Sequence, residues 1–396
     1  MLSLYEKPWV RKALAVVAVG FLAGTLVNWW QILFGDEEPY SFFDLDFYRR
    51  SLDAVAAGGL LYDSLANPPV TMILLSPLRG LPVMAGNLLW TGLSVLTGIG
   101  LGAGIAHLTT PFLTQGSRTR TMFVTRASLA AALLLLTYPM FSQLINGQLT
   151  LLVLTLAFVD ATGLLPKRLQ GSLVGVAAAL KLTPLIFLPY YVITRQWRQL
   201  VNALIAFAVA TGIGFVLFPR DSVYFWLHAN SAEVQGPTRG DNMTLLGLVR
   251  RWWPYESQAQ MLWLALAAVV GLLALYRARN HFRRGEQPQA ALVMGILSTV
   301  VAPIAWPHYQ VWIVLAGLWM LLSGKDAWIR GALVLLLFSR FLPMILAVMY
   351  QESLVARIAW ELFILVPAFV CVMGLPRSPN SIDEPVSLTT DLDARA

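Results

Sequence analysis

The sequence predicts an all-α polytopic membrane protein. Of its 396 residues, 57% are hydrophobic and only 12% are charged, whereas soluble domains carry about 25% charged residues. Apolar runs follow one another almost from end to end, and each membrane-spanning helix needs about 20 such residues. The basic residues gather in short loops between the runs, where they set topology. The net charge of +7 therefore does not indicate a nucleic-acid partner; the expected surroundings are a lipid bilayer.

We expect about 10 to 12 transmembrane helices, some of them broken, tilted or re-entrant, because several runs are shorter than a full span. The clearest runs are Val10–Trp30, Leu88–His107, Ala127–Met140, Leu149–Leu165, Leu200–Phe218, Met261–Tyr276, Ala290–Ile304, Val311–Leu322, Ala332–Met349 and Ile358–Val372. Pro184, which cannot donate a helical hydrogen bond, predicts that the stretch 170–194 reaches outward and returns as a V. The proline-rich stretch 68–82 is read as a re-entrant or half-spanning element.

The loop charges predict the orientation. Basic residues before the first run place the N-terminus in the cytoplasm, and the arginines at 277–284 mark a second cytoplasmic loop. Segments 35–67 and 219–257 then form outer loops, and the turn Ala302–Gln310 faces the same side. We expect residues 1–376 to form a single transmembrane domain and 377–396 a disordered cytoplasmic tail.

The first outer loop holds a candidate general base. Asp44 and Asp46 stand among aromatic residues in "YSFFDLDFYRRS", a composition typical of an element that lies in the membrane interface. A carboxylate partly removed from water can take a proton from an alcohol. In an extended segment the two side chains would point the same way, whereas on a helix they would diverge by about 200°. The alternative is an acidic loop that helps topology or caps a helix.

Lys181 and His308 are the other two candidates for chemistry. Lys181 interrupts the apolar stretch "VAAALKLTPLIFLPYY", and an ionisable group at membrane depth is a functional candidate by default. At the apex of the predicted V its ammonium would suit a lipid-linked phosphate; the alternative is snorkelling to the interface. His308 follows Pro303 and Pro307 in an irregular outer turn. It can bind a phosphate or a sugar hydroxyl, or simply sit at the interface beside aromatic residues.

Three further polar segments are candidates for substrate binding. Asn146 and Gln148 precede an apolar run and either bind sugar hydroxyls or cap a helix. Asn242 likewise reads as a helix start or a ligand loop. Arg250 and Arg251 lie in an amphipathic segment whose arginines are suited to lipid phosphates.

The sequence lacks the motifs of several other mechanisms. It contains no phosphate-binding Gly-rich loop, no dinucleotide fingerprint and no His/Cys metal spacing, and its single Cys371 excludes an internal disulfide. We therefore expect no cofactor, with energy arriving in the substrate. A divalent ion held by Asp44 and Asp46 stays open as an alternative.

Six segments together resemble glycosyltransferase family 87. They occur in the family's order between Asp46 and Trp312: "DFYRRSLDAVAAGGLLYD", "NPPVTMILLSPL", "NGQLTLLVL", "GVAAALKLTPLIFLPYYVITRQWR", "NMTLLGLVRR" and "APIAWPHYQVW". The family's usual residues differ at Asn67, at Asn146 and at Tyr309, which leaves the acceptor open.

The resemblance implies a GT-C membrane fold and a polyprenol-phosphate-sugar-dependent transferase of the phosphatidylinositol-mannoside type. It implies transfer of mannose from a polyprenyl-monophosphate donor to a glycolipid acceptor, on the extracytoplasmic face of the plasma membrane. The family's aspartate base falls on Asp46, next to Tyr48 of the same motif, and its histidine on His308. An arabinofuranosyltransferase of the same family and a lipid-linked sugar flippase are the alternatives.

Overall fold

The computed structural model describes residues 42–59, 61, 67–110, 119–227, 242–253, 255–323, 327–350 and 353–377. Within these ranges the chain is helical, without a β-strand. Its first nine helices are α1 (Phe43–Ala56), α2 (Thr71–Leu75), α3 (Val83–Thr109), α4 (Thr119–Leu135), α5 (Tyr138–Asn146), α6 (Thr150–Ala161), α7 (Ser172–Leu180), α8 (Phe187–Ile193) and α9 (Trp197–Leu217). Nine more follow: α10 (Pro219–Leu227), α11 (Leu245–Trp252), α12 (Glu256–Arg283), α13 (Gln287–Val300), α14 (Val311–Leu322), α15 (Trp328–Leu337), α16 (Phe341–Met349), α17 (Leu354–Trp360) and α18 (Leu362–Met373). Short 3-10 turns occupy Ser76–Gly80, Lys167–Leu169, Thr183–Ile186 and Pro307–Gln310.

Four described segments are long and apolar enough to cross a bilayer, namely α3, α9, α12 and the pair α17–α18. Others are apolar but shorter, including α6, α14 and α15, so the prediction of broken or short spans is confirmed. The run Ala332–Met349, which the sequence presents as one span, is two helices that break at Phe338–Arg340. The first run, Val10–Trp30, and the tail 378–396 lie outside the described residues; the total of 10 to 12 spans and the domain boundaries stay predictions.

The stretch 170–194 folds into a V. Helix α7 ends at Leu180. The extended backbone of Lys181 (φ −157°, ψ 128°) follows it, and a 3-10 turn then leads into α8. At the start of α9, the amide of Asn202 donates to the carbonyls of Gln170 (2.8 Å) and Arg168 (3.1 Å), where α7 begins. Since α9 follows α8 directly, α8 must return to the level from which α7 rose.

Asp160, near the end of α6, anchors the base of this V. Its buried carboxylate accepts hydrogen bonds from the backbone N–H groups of Gly171 (2.6 Å) and Val174 (2.9 Å), donors that otherwise have no partner in the first turn of a helix. A Cβ on Gly171 would lie 2.0 Å from the carbonyl oxygen of Gln199. The glycine is therefore what lets α7 and α9 approach.

Basic loops collect at this end of the molecule. Gln287, just after the arginine-rich end of α12, donates to the carbonyl of Ala161 (3.1 Å), so that end lies beside the loop carrying Lys167 and Arg168. We call this the basic end. From it, α6 and α7 each rise by roughly 15 Å at 1.5 Å per residue, which is about half the thickness of a bilayer core. Lys181 stands at the end of this rise, on the side of the molecule away from the basic end.

The stretch 68–82 forms a short element at the other end. Helix α2 and the 3-10 turn after it are too short to span a bilayer, in agreement with a re-entrant segment. The hydroxyl of Thr71 donates to the carbonyl of Leu180 (2.8 Å), and Val70 lies against Gly214 near the far end of α9. This element therefore packs over the apex of the V.

Candidate active site

Helix α1 separates the two aspartates of the first loop. Residues two apart on a helix point in directions about 200° apart, so the extended arrangement that would have aligned them does not occur. The Asp46 side chain is 47% exposed and lies 3.6 Å from the buried Arg49. Asp44 instead lies on the face of α1 that carries the buried Leu45 and Tyr48.

Asp44 belongs to a group of polar side chains from four parts of the chain. Its charge acts electrostatically on Tyr48, Lys181 and Tyr309. Burial, and after it the charge of Asp44, raises the pKa of Tyr48 well above its usual range, so this phenol stays protonated. We call the group the polar cluster; its members are Asp44, Tyr48, Gln148, Thr150, Lys181, His308 and Tyr309.

Hydrogen bonds connect several members of the polar cluster. The Tyr48 hydroxyl donates to Oε1 of Gln148 (3.4 Å) and accepts from the amide of Asn67 (3.3 Å). The same Gln148 oxygen accepts from the Thr150 hydroxyl (3.5 Å), and that hydroxyl accepts from the Lys181 ammonium (2.8 Å). The first loop, the start of α6 and the apex of the V are thereby held in register.

The Lys181 ammonium has no close carboxylate among the described residues. Its described contacts are the Thr150 hydroxyl and the face of Tyr309, 4.2 Å from the ring centroid. A cation at membrane depth is costly unless it is paired, and the described carboxylate that acts on this one, Asp44, forms no ion pair with it. The ammonium is therefore placed to receive an anionic ligand.

His308 lies beside Lys181, in the 3-10 turn Pro307–Gln310. The side chain is buried, its ring centroid is 4.9 Å from that of Tyr309, and it interacts electrostatically with Lys181. Neither ring nitrogen has a hydrogen-bond partner within the described ranges. Buried polar atoms are nearly always satisfied, so this imidazole is available for a substrate oxygen.

Asn242 has a structural role that differs from the expected ligand loop. Its amide donates to the carbonyl of Pro303 (3.1 Å), and its side-chain oxygen accepts from the backbone of Ala305 (3.1 Å). The Gln310 amide donates to the carbonyl of Met243 (3.2 Å). Asn242 therefore shapes the turn that carries His308. Helix α11 begins after it, capped by Thr244.

Arg251 is also engaged inside the protein. Its guanidinium forms a two-pronged ion pair with Glu361 (2.9 and 2.7 Å), and both side chains are buried. A third N–H donates to the carbonyl of Asn242 (2.9 Å). Arg250 pairs with the exposed Glu256 at 3.2 Å. The expectation that Arg251 holds a lipid phosphate conflicts with this geometry, because two of its N–H groups already donate to the Glu361 carboxylate.

Asn146 turns away from the polar cluster. It ends α5 and donates back to the carbonyl of Ser142 (2.8 Å), and α6 begins without a side-chain cap. Gly147 follows in the left-handed region (φ 65°), where a Cβ would lie 2.7 Å from that of Leu45. The close approach of this glycine to α1 is what brings Gln148 beside Tyr48.

Sequence reasoning missed two residues of this region, Thr150 and Gln143. Thr150 stands directly beside a predicted residue in "NGQLT", but it is not ionised and fits an ordinary helix start. Gln143 is buried in α5 and bonds the backbone of Gln148 and of Leu151. Nothing in the sequence distinguishes it from a surface amide.

A narrow pocket continues from the polar cluster between α6, α13 and α14. Its walls combine apolar side chains with the hydroxyls of Thr150, Thr183, Ser298 and Thr299, and Tyr309 and Trp312 also line it. Within the described ranges no three His, Cys, Asp or Glu side chains gather as metal ligands. The divergence of Asp44 and Asp46 argues against the divalent ion considered for that pair.

Comparison with known proteins identifies the family. The profile of glycosyltransferase family 87 matches residues 65–307, more than half of the chain. The chain belongs to glycosyltransferase family 87. It is therefore a membrane glycosyltransferase, and the resemblance found in the sequence is confirmed. The family 87 match includes Gln148, Thr150 and Lys181 but ends one residue before His308.

Curated relatives extend the similarity to most of the chain. It is 29% identical, over 82% of its length and 78% of the relative's, to a polyprenol-phosphate-mannose-dependent alpha-(1-2)-phosphatidylinositol mannoside mannosyltransferase of Mycobacterium tuberculosis. It is 27% identical, over 74% of its length and 73% of the relative's, to the corresponding phosphatidylinositol pentamannoside mannosyltransferase of Mycolicibacterium smegmatis. No solved structure matches this family 87 chain.

Proposed function

We propose that this family 87 enzyme transfers mannose from a polyprenyl-monophosphate donor to a phosphatidylinositol-mannoside-like glycolipid. The observation that carries the proposal is the polar cluster. It brings together a carboxylate (Asp44), an ammonium that has no close counter-ion among the described residues (Lys181) and an imidazole whose two nitrogens have no partner there (His308). The names of the relatives support the donor and the acceptor class.

The three groups divide the reaction between them. Asp44 takes the proton of the acceptor hydroxyl as that oxygen bonds to the anomeric carbon of mannose. The bond from this carbon to the phosphate oxygen breaks with inversion, and the electron pair leaves with polyprenyl phosphate. Lys181 stabilises the charge that grows on the leaving phosphate, while His308 donates a hydrogen bond to it or to a sugar hydroxyl.

Asp44 replaces Asp46 as the proposed base. Asp46 lies on a different face of α1 from Asp44 and already pairs with Arg49 at 3.6 Å. Asp44 acts on three other members of the polar cluster. The match to the family's motif settled on Asp46 because it adjoins "FYRR", but only the helical geometry separates the two side chains.

The orientation of the site is also part of the proposal. The positive-inside rule puts the basic end in the cytoplasm, which turns the polar cluster toward the extracytoplasmic side. Because Cys371 is buried, single cysteines introduced as Arg50→Cys and Arg168→Cys can be labelled with little background. An impermeant maleimide should label the first in intact cells and the second only after permeabilisation; the reverse pattern would overturn this orientation.

A matched pair of variants tests the base. Purified enzyme in nanodiscs is given radiolabelled polyprenyl-phosphomannose and a phosphatidylinositol mannoside, and Asp44→Asn is compared with Asp46→Asn. General-base catalysis contributes about 10²- to 10⁴-fold, so Asp44→Asn should lower kcat by about that factor. Asp46→Asn should stay within about fivefold of wild type, since the Asp46 carboxylate is half exposed and an ion pair of this kind is worth at most about 1 kcal/mol.

The outcomes separate the alternatives. If Asp46→Asn loses transferase activity and Asp44→Asn keeps it, the base is Asp46. A wild-type enzyme that transfers arabinofuranose and not mannose would change the donor, while movement of the donor across the membrane without transfer would support a flippase. A folded wild-type protein inactive with both donors would contradict the proposed substrates.

A further inference from the structure

Arg340 occupies an unusual place in the fold. In the sequence it lies inside the apolar run Ala332–Met349; in the structure it lies at the break between α15 and α16. The neighbouring Ser339 forms an isolated antiparallel bridge with Thr137, and the N–H of Tyr138 donates to the carbonyl of Phe338 (2.9 Å). The break is therefore fastened to the start of α5.

The Arg340 guanidinium is stacked and nearly buried, yet it is not paired. The residue is 9% exposed, and its central carbon lies 3.9 Å from the centroid of the Phe141 ring. The described residues offer it no hydrogen bond and no ion pair. A guanidinium held over an aromatic ring still has its N–H groups available, and their fork suits bidentate binding of a phosphate.

This guanidinium lies at the level of the active site. Helices α14 and α15 pack antiparallel, because Gly331 approaches Leu321 and Gly317 approaches Val334. The end of α15 therefore stands beside the start of α14, directly after the turn that carries His308. Helix α5, on which Arg340 stacks, also contacts that turn. Arg340 and the polar cluster are thus separated by about the width of one helix, roughly 10 Å.

The surface next to Arg340 is suited to lipid. Three side chains of the adjoining helix α16, Phe341, Ile345 and Val348, are more than half exposed and apolar. Exposed apolar side chains on a membrane protein face acyl chains. A phosphate at Arg340 would therefore belong to a molecule whose tails run along α16.

We infer that Arg340 binds the phosphodiester of the lipid acceptor. This inference rests on the proposed function and adds a second phosphate site to it. The donor's phosphate is bonded to the reacting carbon and must lie within the polar cluster. A lipid phosphate about 10 Å away fits the acceptor, whose phosphodiester is separated from its reacting hydroxyl by sugar rings. Arg340 is a substrate-binding residue here and touches no reacting atom.

The test compares acceptors with and without a phosphate. Initial rates are measured for wild type, Arg340→Gln and Arg340→Lys with a phosphatidylinositol mannoside and with a neutral alkyl mannoside. Arg357→Gln is the control, since this exposed arginine also lies near an aromatic ring, Tyr350. Arg340→Gln should raise KM for the phospholipid acceptor about tenfold or more, the size of a charge-assisted contact. Its KM for the donor and for the neutral acceptor should not change.

Intermediate and negative results have distinct meanings. Arg340→Lys keeps the positive charge but loses the two parallel N–H donors of the guanidinium. Its KM for the phospholipid acceptor should therefore lie between those of wild type and Arg340→Gln. Equal weakening with both acceptors would show a structural role, and a raised KM for the donor alone would assign the phosphate to the donor. Either result, or no change, would overturn the inference.

A binding measurement separates this inference from the proposed reaction. Phosphatidylinositol should raise the thermal unfolding temperature of the wild-type protein in detergent more than a neutral glycolipid with the same chains does. In Arg340→Gln that difference should disappear, while Arg357→Gln should keep it. This readout needs no turnover, so an enzyme that fails to transfer mannose still tests the site; an unchanged difference in Arg340→Gln would refute it.

Discussion

Replacing Lys181 by methionine should abolish most activity without reducing stability. The leaving phosphate gains one negative charge in the transition state. Two unit charges 4 Å apart interact by about 4 kcal/mol at an effective dielectric of 20 and about 1 kcal/mol in water. Lys181 is half-buried, so an intermediate value of about 2.5 kcal/mol applies, and kcat should fall about 70-fold.

Thr150→Val provides the matched control for this variant. It removes the 2.8 Å hydrogen bond from Lys181 but leaves the charge, and a hydrogen bond contributes about 0.5–1.5 kcal/mol net. A fall in kcat of about tenfold or less is expected. Single-turnover rates in nanodiscs, with both substrates saturating, isolate the chemical step.

Thermal unfolding of the same samples distinguishes a catalytic from a structural lysine. Lys181 forms none of the ion pairs found among the described residues, and a cation at membrane depth costs about 2.5–3.5 kcal/mol in insertion assays. Lys181→Met should therefore unfold at the same or a higher temperature than wild type. A kcat within about threefold of wild type, or a clear loss of stability, would refute the reasoning.

Two further predictions concern the framework of the site. Glu361→Gln should destabilise the protein by about 3 kcal/mol, because it leaves the buried Arg251 without its counter-ion. Glu256→Gln should cost less than about 1 kcal/mol, because the Glu256 carboxylate is exposed to solvent. Gly147→Ala should lower the unfolding temperature and the rate, since its backbone is left-handed and a Cβ would collide with α1. Gly92→Ala, in open space within α3, should be neutral or stabilising; similar effects at both glycines would contradict the steric argument.

The sequence predicted those parts of the fold that depend on apolar composition and on residues that interrupt helices. The long apolar runs correspond to α3, α9 and α12. The break predicted near Pro184 is present and separates the two arms of the V. The arginine clusters predicted which loops would collect at one end. The prediction of a single span was wrong for the run Ala332–Met349. Hydropathy is averaged over a window of residues, and one arginine does not lower that average enough to reveal a break.

Within the site, residue type was more predictable than residue role. Lys181, His308, Tyr48 and Gln148 were identified because charge and polarity are rare in apolar surroundings, and the structure brings them together. Asn242 is equally polar, but its amide bonds the turn that carries His308, so a contact of Asn242 with substrate stays a prediction. Which polar group faces a substrate depends on contacts with distant segments.

The same reasoning explains why the two aspartates could not be separated in advance. A motif compares letters along the chain, and Asp44 and Asp46 both stand within it. The decision depends on whether the segment is helical, on which face of that helix is buried, and on where the apex of the V places Lys181. Each of these is a tertiary property: α1 is positioned by the close approach of Gly147, and Lys181 by the return of α8 to the basic end. A base and the cation that stabilises the leaving group must lie within a few ångströms of one substrate. The electrostatic effect of Asp44 on Lys181 is therefore a stronger criterion for the base than the match of either aspartate to a motif.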